Sequence, residues 1–285
     1  RKESSAASDV YKRQVPMIIR FPNKARAGER DDRLISFVDF APTLLSMVNI
    51  PPEGYYQGKA FEGKYKSKNN RKYIHAAADR FDEHYDMIRA TRDKRYKYLK
   101  NFNPQKPYYL PLEYREKMDT MQELIVMNEN GHLDSLQSLW FRNKKPEEEL
   151  FDTYLDPFEL YNLADDPKYG YKLEELRNEC EKWMNDSSDK GFIPEKELIQ
   201  LFWPNKIQPK TIDPILKKIG DLIAFSCETK GANIGYKYTD TDTSDFFGWR
   251  PYTHPIKIKK FQSINFIAHR IGYLPSNIIN YKNEL

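Results

Sequence analysis

Cysteine, long apolar runs and long runs of like charge are all scarce in this sequence. The 285 residues include 2 cysteines, Cys180 and Cys227, which define neither a disulfide framework nor the spacing of a metal site. No run of 18 apolar residues occurs, so no membrane-spanning segment is predicted. The 46 basic and 42 acidic residues are interspersed, and no nucleic-acid-binding motif accompanies the net charge of +4. We therefore expect neither a membrane span nor a nucleic-acid partner.

Aromatic and charged residues are abundant instead. Aromatic residues make up 14% of the chain, including 20 tyrosines, and charged residues make up 31%. Tyrosine rings either contact polar ligands such as sugars or fill the half-wet face of a sheet, and we favour the structural role here. The length allows one large domain or two modest ones.

The beginning of the sequence differs from the rest. Residues 1–14 show no apolar periodicity and resemble translated sequencing-adaptor sequence, so we exclude them from the fold. We expect the natural N-terminal part of the protein to be missing ahead of Val15. Residues 15–22 are mainly apolar and end in proline, a pattern typical of a fully buried strand in a parallel sheet.

Two local patterns follow in the next hundred residues. Asp39 can cap a helix whose first turn tolerates proline, which would place Leu44, Leu45 and Val48 on the buried face. A strand is predicted over residues 73–78. It is followed by two antiparallel strands, 87–92 and 96–99, joined by the charged turn 93–95.

Three helices and one further strand are predicted between residues 112 and 183. Residues 112–124 and 133–141 show helical spacing of apolar residues, and we expect both helices to face the core. Leu150 and Phe151 belong to a short strand that ends before Asp156-Pro157, because aspartate followed by proline favours a turn. A third helix is predicted from the recurrence of apolar residues at intervals of three and four, namely Leu173, Leu176, Cys180 and Trp183.

Short motifs occur in a fixed order along these elements. They are Asp39 with Pro42-Thr43-Leu44-Leu45 and Gly58, Arg89-Ala90-Thr91-Arg92 with Lys97-Tyr98, Glu149-Leu150-Phe151-Asp152 with Asp156-Pro157 and Glu159, and Asn162-Leu163-Ala164. In order and spacing they resemble the C-terminal part of the type I sulfatases of the alkaline phosphatase superfamily, with Phe151 where tyrosine is common. The resemblance covers residues 15 to about 209. It implies an α/β fold: the end of the main sheet, followed by a small antiparallel sheet with helices.

From residue 214 the pattern changes to short strands, predicted over 223–227, 233–238, 256–258 and 264–270. Residues 231–236 and 252–256, with Ala268 and Gly272, resemble the immunoglobulin-like module at the end of chitobiases, which is also appended to some bacterial sulfatases. We expect an all-β immunoglobulin-like sandwich with a structural role. The predicted segments are residues 1–14 (adaptor-derived), 15–70 (end of the catalytic α/β domain), 71–210 (C-terminal subdomain) and 214–285 (sandwich).

The resemblance also implies a chemistry. A type I sulfatase cleaves sulfate esters with a formylglycine, made from Cys or Ser in a Cys-x-Pro-x-Arg motif, beside a calcium ion held by oxygen ligands. Neither Cys180 nor Cys227 is followed by the required Pro and Arg, and no Asp-His-Gly or Asp-Asn-Gly precedes Val15. We therefore assign no catalytic or metal-binding residue. Calcium is expected only in the full-length parent, and this fragment alone is predicted to be inactive.

The loop around residues 80–84 is the remaining candidate for a substrate-binding site. In the family, the corresponding segment can approach the substrate pocket. Arg80, Asp82, Glu83 and His84 are chemically suited to sugar hydroxyls or sulfate. A solvated charged loop is the alternative interpretation, although binding residues concentrate on loops. His75 lies on an apolar strand, and we interpret it as a core histidine.

The resemblance predicts the C-terminal portion of a sulfatase that hydrolyses sulfate esters, with a sulfated carbohydrate as substrate. It also predicts a periplasmic or secreted location, as for bacterial relatives with such modules. Two alternatives stay open. A phosphonate or phosphate ester hydrolase of the same superfamily would share this C-terminal pattern. A non-catalytic glycan-binding protein could use the sandwich and the tyrosine-rich surface.

Overall fold

The computed structural model describes residues 17–81, 83–239 and 248–284. The chain divides into two compact units, of which the first ends at Gly191 and the second begins at Phe192. Both contain antiparallel sheets, and the first also packs helices against its sheet. The predicted α/β class is therefore confirmed. The four predicted domain segments stay a prediction, and the adaptor-like residues 1–14 lie outside the described residues.

The first unit is built on a four-stranded antiparallel sheet. Its strands are adjacent in chain order. They are β1 (Ile74–Phe81), β2 (His84–Arg92), β3 (Tyr96–Asn101) and β4 (Glu148–Asp152). Arg92 pairs with Lys97 at one end of the β2–β3 hairpin and Ile88 with Asn101 at the other. The three strands predicted between residues 73 and 99 are confirmed.

Helices accompany this sheet. The α-helices of the first unit are α1 (Phe40–Met47), α2 (Glu113–Glu116), α3 (Asp119–Glu129) and α4 (Gly170–Asp186). Short 3₁₀ helices of the first unit occur at Pro22–Lys24, Phe37–Asp39, Gln137–Phe141 and Pro167–Tyr169; Lys190–Phe192 crosses the boundary between the units, and Pro204–Lys206 belongs to the second unit. Among the described residues, no helix is long and apolar enough to cross a membrane.

Helix α4 forms the main core contact of the first unit. Leu173, Leu176 and Cys180 are buried against Tyr98 of β3 and Leu150 of β4. Their spacing places all three on one face of the helix, as predicted. The opposite face of the sheet carries a second small apolar cluster, formed by Ala90, Leu99 and Phe151.

The buried strand predicted over residues 15–22 is wrong for its described part. Residues 17–20 have no regular secondary structure, and Ile18 is 95% exposed. In the described part of the chain, no strand is hydrogen-bonded beside this segment. A strand without a neighbour leaves its backbone N–H and C=O groups unpaired, so the apolar sequence alone does not produce one.

Helix α1 exists, but its predicted buried face is wrong. Leu44 and Val48 are exposed, whereas the small polar residues Thr43 and Ser46 are buried. Their hydroxyl oxygens accept hydrogen bonds from the backbone N–H groups of Phe61 and Tyr65, at 3.1 and 2.8 Å. The connecting backbone thus packs on the polar side of the helix and leaves Leu44 and Val48 uncovered, while Leu45 is half-buried.

The predicted cap of α1 also differs. Asp39 does not bond the helix N-terminus; its carboxylate accepts from Arg71 Nε at 2.7 Å and from the Lys59 N–H at 2.8 Å. Asp39 is buried and ties α1 to the chain that leads into β1. Its role in the motif is therefore structural.

The helix predicted over residues 133–141 is shorter than expected. Only Gln137–Phe141 forms a 3₁₀ helix, and none of its residues is buried. Asp134 accepts hydrogen bonds from the N–H groups of Leu136 and Gln137, at 2.9 and 2.8 Å, which favours a tight turn over a longer helix. The helical prediction for residues 112–124 is confirmed by α2 and α3.

The second unit contains helix α5 (Glu195–Phe202) and two antiparallel sheets. Its strands are β5 (Ile215–Ile219), β6 (Leu222–Ser226), β7 (Asn233–Tyr238), β8 (Arg250–Pro251), β9 (Ile256–Lys257), β10 (Ser263–His269) and β11 (Ile279–Lys282). One sheet has the order β11-β10-β7-β8 and the other β5-β6-β9. Sequence analysis missed β5, β8 and β11.

One apolar core lies between the two sheets of the second unit. Ile223 and Phe225 of β6 cluster with Ile264 and Phe266 of β10. The rings of Phe225 and Phe266 are stacked with their centroids 4.5 Å apart. Two sheets that share a core agree with the expected all-β module. The immunoglobulin-like classification stays a prediction.

Candidate functional site

Two charged residues of the sequence motifs form a buried ion pair. Lys97 of β3 donates a hydrogen bond to Glu159, which lies in the turn after β4, and both side chains are at most 3% exposed. The Lys97 ammonium also lies 5.5 Å from the centroid of the Phe151 ring. Buried charges of this kind are inaccessible to a substrate, so this pair holds the β3–β4 region together.

Glu149, the first residue of the Glu-Leu-Phe-Asp motif, is also buried. Its carboxylate accepts hydrogen bonds from Asn101 Nδ2 at 2.7 Å and from the Tyr108 hydroxyl at 2.8 Å. Burial raises the pKa of the Glu149 carboxyl, although these hydrogen bonds oppose the shift. Perturbed carboxyls occur at active sites, but this one is sealed beneath the segment that carries Tyr108.

Arg89 fixes the hairpin of β1 and β2 to the end of α4. Its guanidinium is fully buried; Nε donates to Asp189 Oδ2 at 2.6 Å, and Nη2 pairs with Asp79 Oδ1 at 2.8 Å. The hydrogen bonds from Arg89 lower the pKa of Asp189. A Cβ atom at Gly191 would lie 2.0 Å from Arg89 Nη2, so only glycine fits there without a shift.

The candidate substrate-binding residues lie at the tip of the β1–β2 hairpin. Arg80 and Glu83 are exposed and His84 is half-buried. The His84 Nε2 atom lies 3.4 Å from Glu83 Oε1. Asp82 lies outside the described residues. The structure therefore brings Arg80, Glu83 and His84 to one end of the sheet, where solvent reaches them.

The strand register separates these residues onto two faces. Arg80 pairs with Tyr85, whereas His84 pairs with Phe81. Because side chains alternate along a strand, Arg80 and His84 lie on opposite faces of the hairpin. A ligand at the tip would therefore contact them from two sides of the turn.

Sequence analysis missed two residues next to this tip, Tyr85 and Lys106. Lys106 Nζ donates to the Tyr85 carbonyl oxygen and lies 5.2 Å from the centroid of its ring. The Tyr85 hydroxyl donates to the carbonyl oxygen of Gly191 at 3.3 Å. Lys106 comes from the long connection between β3 and β4, and no local pattern in that connection indicates this contact.

His75 is packed as a core residue, as interpreted from the sequence. Its ring stacks on Trp183 of α4 with centroids 4.9 Å apart and planes inclined by 8°. Burial lowers the pKa of His75 to about 4, with a further contribution from the positive charge of Arg71. The ring is therefore neutral near pH 7 and serves as an aromatic packing surface.

The described residues do not fit a calcium site. Within residues 17–81, 83–239 and 248–284, no group of three or more His, Cys, Asp or Glu side chains is placed to hold a metal ion. The carboxylates described above are committed to Arg89, Lys97 or amide and hydroxyl donors. We derive no metal-dependent step from this chain.

Comparison with known proteins gives a match over most of the chain. A curated ulvan-active sulfatase from Formosa agariphila is 51% identical over 265 residues, which is 93% of this chain and 44% of that protein. A family profile described as N-sulphoglucosamine sulphohydrolase, C-terminal, matches residues 10–135. The chain is a homologue of the C-terminal part of sulfatases. It spans less than half of the length of the curated relatives it matches.

More distant sulfatases match smaller parts of the chain. The human N-sulphoglucosamine sulphohydrolase is 24% identical over 191 residues, covering 61% of this chain and 37% of that protein. A solved structure of a 2-O GAG sulfatase covers 53% of this chain and 25% of that chain, at 22% identity and a TM-score of 0.35.

The sulfatase motifs of this chain thus have structural roles in the fold. Lys97, Glu159 and Asp39 form buried ion pairs, and Asn162 accepts a hydrogen bond from the Leu150 N–H at 2.9 Å. Sequence analysis identified the motif residues through the family. Their partners lie 12 to 62 residues away along the chain and were visible only in the structure.

Proposed function

We propose that this chain is part of a sulfatase that hydrolyses sulfate esters of a sulfated glycan, with ulvan as its substrate class. The observation that carries the proposal is the 51% identity, over 93% of this chain, to a protein described as an ulvan-active sulfatase. Because this identity extends across both units, we infer that the chain has the same role as the matching part of that relative.

Within that enzyme, the first unit would present the hairpin tip to the substrate. Arg80 supplies N–H donors that match sulfate oxygens, while Asp82, Glu83 and His84 can bond sugar hydroxyls. The buried pairs Lys97–Glu159 and Arg89–Asp189 support this role because they hold the hairpin rigidly, and rigid elements position binding residues more precisely than free loops do.

The formylglycine nucleophile and the calcium ion would come from other parts of the longer protein, so this chain alone is proposed to be inactive. An uncovered apolar surface supports this division. Phe37, Leu44 and Val48, which lie in or next to helix α1, are more than half exposed, and exposed apolar side chains grouped in this way often mark an interaction surface. In the longer enzyme, another part of the sheet would cover them.

The second unit is proposed to be an appended immunoglobulin-like module with a spacing role, in an enzyme exported to the periplasm or beyond. Its two sheets form their own core and need no contribution from the candidate site. The proposed location rests on the resemblance to bacterial sulfatases that carry such modules.

A chimera tests the proposed function. This chain would replace the matching segment of the Formosa agariphila relative, in cells that convert the nucleophile motif to formylglycine. We expect the chimera to release inorganic sulfate from ulvan, and the same chimera with the nucleophile changed to alanine to release none. A folded chimera that releases no sulfate, beside an active relative, would contradict the proposal.

Variants of the chimera test the hairpin tip. Arg80→Ala and His84→Ala are expected to raise KM for ulvan without lowering the melting temperature. Lys94→Ala is the matched control, because Lys94 is exposed in the turn at the opposite end of β2. An unchanged KM in both tip variants would show that the tip does not contact substrate.

A further inference from the structure

An aromatic cluster lies in the long connection between β3 and β4. Tyr109 packs edge-on against Trp140, with ring centroids 5.5 Å apart, and lies 5.2 Å from the ring of Phe141. All three side chains are half-buried, so the cluster has an accessible surface. Its members come from two segments, one before α2 and one in the 3₁₀ helix Gln137–Phe141.

The guanidinium of Arg115 lies close to two of these rings. Its central carbon is 5.3 Å from the Tyr109 centroid and 5.2 Å from the Trp140 centroid. One amino group donates to the Leu110 carbonyl oxygen at 2.5 Å. The Nε atom is buried and has no hydrogen-bond partner in the described part of the chain.

Arg115 also lacks an anionic partner among the described residues. The nearby carboxylate of Glu116 accepts instead from the Tyr109 hydroxyl. In contrast, Arg177 and Arg95 each pair with a carboxylate at 2.6 Å. Holding a half-buried guanidinium without a counter-charge costs free energy, which an incoming anion would offset.

We propose that Arg115, Tyr109 and Trp140 form a binding subsite for a sulfated sugar residue. The remaining amino group meets the sulfate oxygens, and the exposed parts of the aromatic rings contact the sugar. Arginine suits this role because its planar group can stack on rings and donate hydrogen bonds to an oxyanion at the same time. The subsite rests on the proposed function only for the identity of the glycan.

The position of the subsite agrees with an extended ligand. Tyr109 follows Lys106 by three residues, and Lys106 contacts Tyr85 at the hairpin tip. Three residues span at most about 11 Å. A single oligosaccharide could therefore contact both the hairpin tip and the Arg115 subsite through different sugar residues.

Binding of ulvan to this 285-residue chain tests the subsite, by calorimetry with native and chemically desulfated ulvan. We expect desulfation to weaken binding, and Arg115→Gln to weaken binding of native ulvan by about tenfold to a hundredfold. Arg115→Lys keeps the charge but loses the planar stacking, so the affinity of this variant for native ulvan should lie between those of the wild type and Arg115→Gln. The matched control is Lys117→Gln, since Lys117 is exposed and pairs with Glu113 at 2.8 Å.

Equal affinity of the wild type, Arg115→Gln and Arg115→Lys proteins would overturn the subsite, as would equal binding of native and desulfated ulvan. Circular dichroism of each variant guards against a loss of fold, and Arg115→Lys can still donate to Leu110. An active chimera whose chain binds ulvan independently of Arg115 contradicts the subsite but not the proposed function. An inactive chimera whose chain binds ulvan through Arg115 contradicts the function but not the subsite.

Discussion

The buried Lys97–Glu159 pair allows a quantitative test of the claim that the sulfatase motifs build the fold. Lys97→Met would remove the ammonium and leave the Glu159 carboxylate buried without its cation. Breaking a buried pair from one side typically costs about 3–5 kcal/mol. Glu159→Met is expected to cost about as much, because it leaves the Lys97 ammonium buried and unpaired.

The double variant Lys97→Met/Glu159→Met should be more stable than either single variant. It buries no charge, and the methionine at position 97 can contact the Phe151 ring through its sulfur. Replacing both members of a buried pair by apolar residues is often neutral or stabilising. The two single effects should therefore be strongly non-additive.

Hydrogen exchange followed by mass spectrometry is the suitable assay, because peptides from β3 and β4 report on the first unit alone. Exchange would be measured across a urea series for the wild type, both single variants and the double variant. The reasoning is refuted if the double variant loses as much stability as the sum of the singles. It is also refuted if each single variant loses less than about 1 kcal/mol, the range of an exposed pair.

Three further outcomes follow from the first unit. Gly63→Ala should lower the melting temperature more than Gly131→Ala does. Both glycines have positive φ, but of the two only Gly63 would place a Cβ atom against backbone, 2.4 Å from the Ser46 carbonyl carbon. Equal melting temperatures of the two variants would contradict this. Leu176→Ala should cost about 2–5 kcal/mol in urea unfolding, since Leu176 is fully buried; a loss below about 1 kcal/mol would count against the α4 packing. For His75, the folded pKa of about 4 lies below the ordinary 6.5, so the unfolded state binds more protons between these values. The contribution of neutral His75 to the free energy of unfolding is complete above pH 6.5 and is lost as pH falls towards 4. His75→Gln should therefore reduce the slope of unfolding free energy against pH between 4 and 6.5. An unchanged slope would refute the lowered pKa of His75.

Local patterns predicted the elements whose neighbours are close in sequence. The β2–β3 hairpin is an example, because its turn and strand alternation lie within residues 87–99. Helix α4 is another, because Leu173, Leu176 and Cys180 repeat at helical spacing whatever they contact. In both cases the pattern of apolar residues is enough to define the element.

Predictions failed where burial depends on distant backbone. Leu44 and Val48 are apolar, yet α1 buries Thr43 and Ser46 because the chain around Phe61 and Tyr65 bonds to them. The spacing of apolar residues within the helix does not predict those contacts. The strand predicted for the apolar segment around Ile18 was wrong for a related reason. A strand requires a hydrogen-bonded neighbour, which its own sequence does not specify.

The candidate site was only partly predictable. Arg80 and His84 were predicted as candidates from their chemistry and position and stay a prediction. The strand register that separates them onto two faces could not be read from the sequence. Lys106 was missed because it lies in an irregular part of the connection between β3 and β4. Arg115 was missed although it lies in helix α2, because the helical pattern does not indicate what its side chain contacts. Their contacts with Tyr85 and Trp140 depend on how that connection folds back.

Sulfate release by the purified 285-residue chain tests the central claim most directly. Ion chromatography would follow inorganic sulfate during incubation with ulvan, with the active chimera as positive control. We expect no release above the buffer level from the chain alone and clear release from the chimera, because we propose that the reacting groups belong to other parts of the longer protein. Release that rises with the concentration of the chain, and persists through repeated purification, would contradict the account.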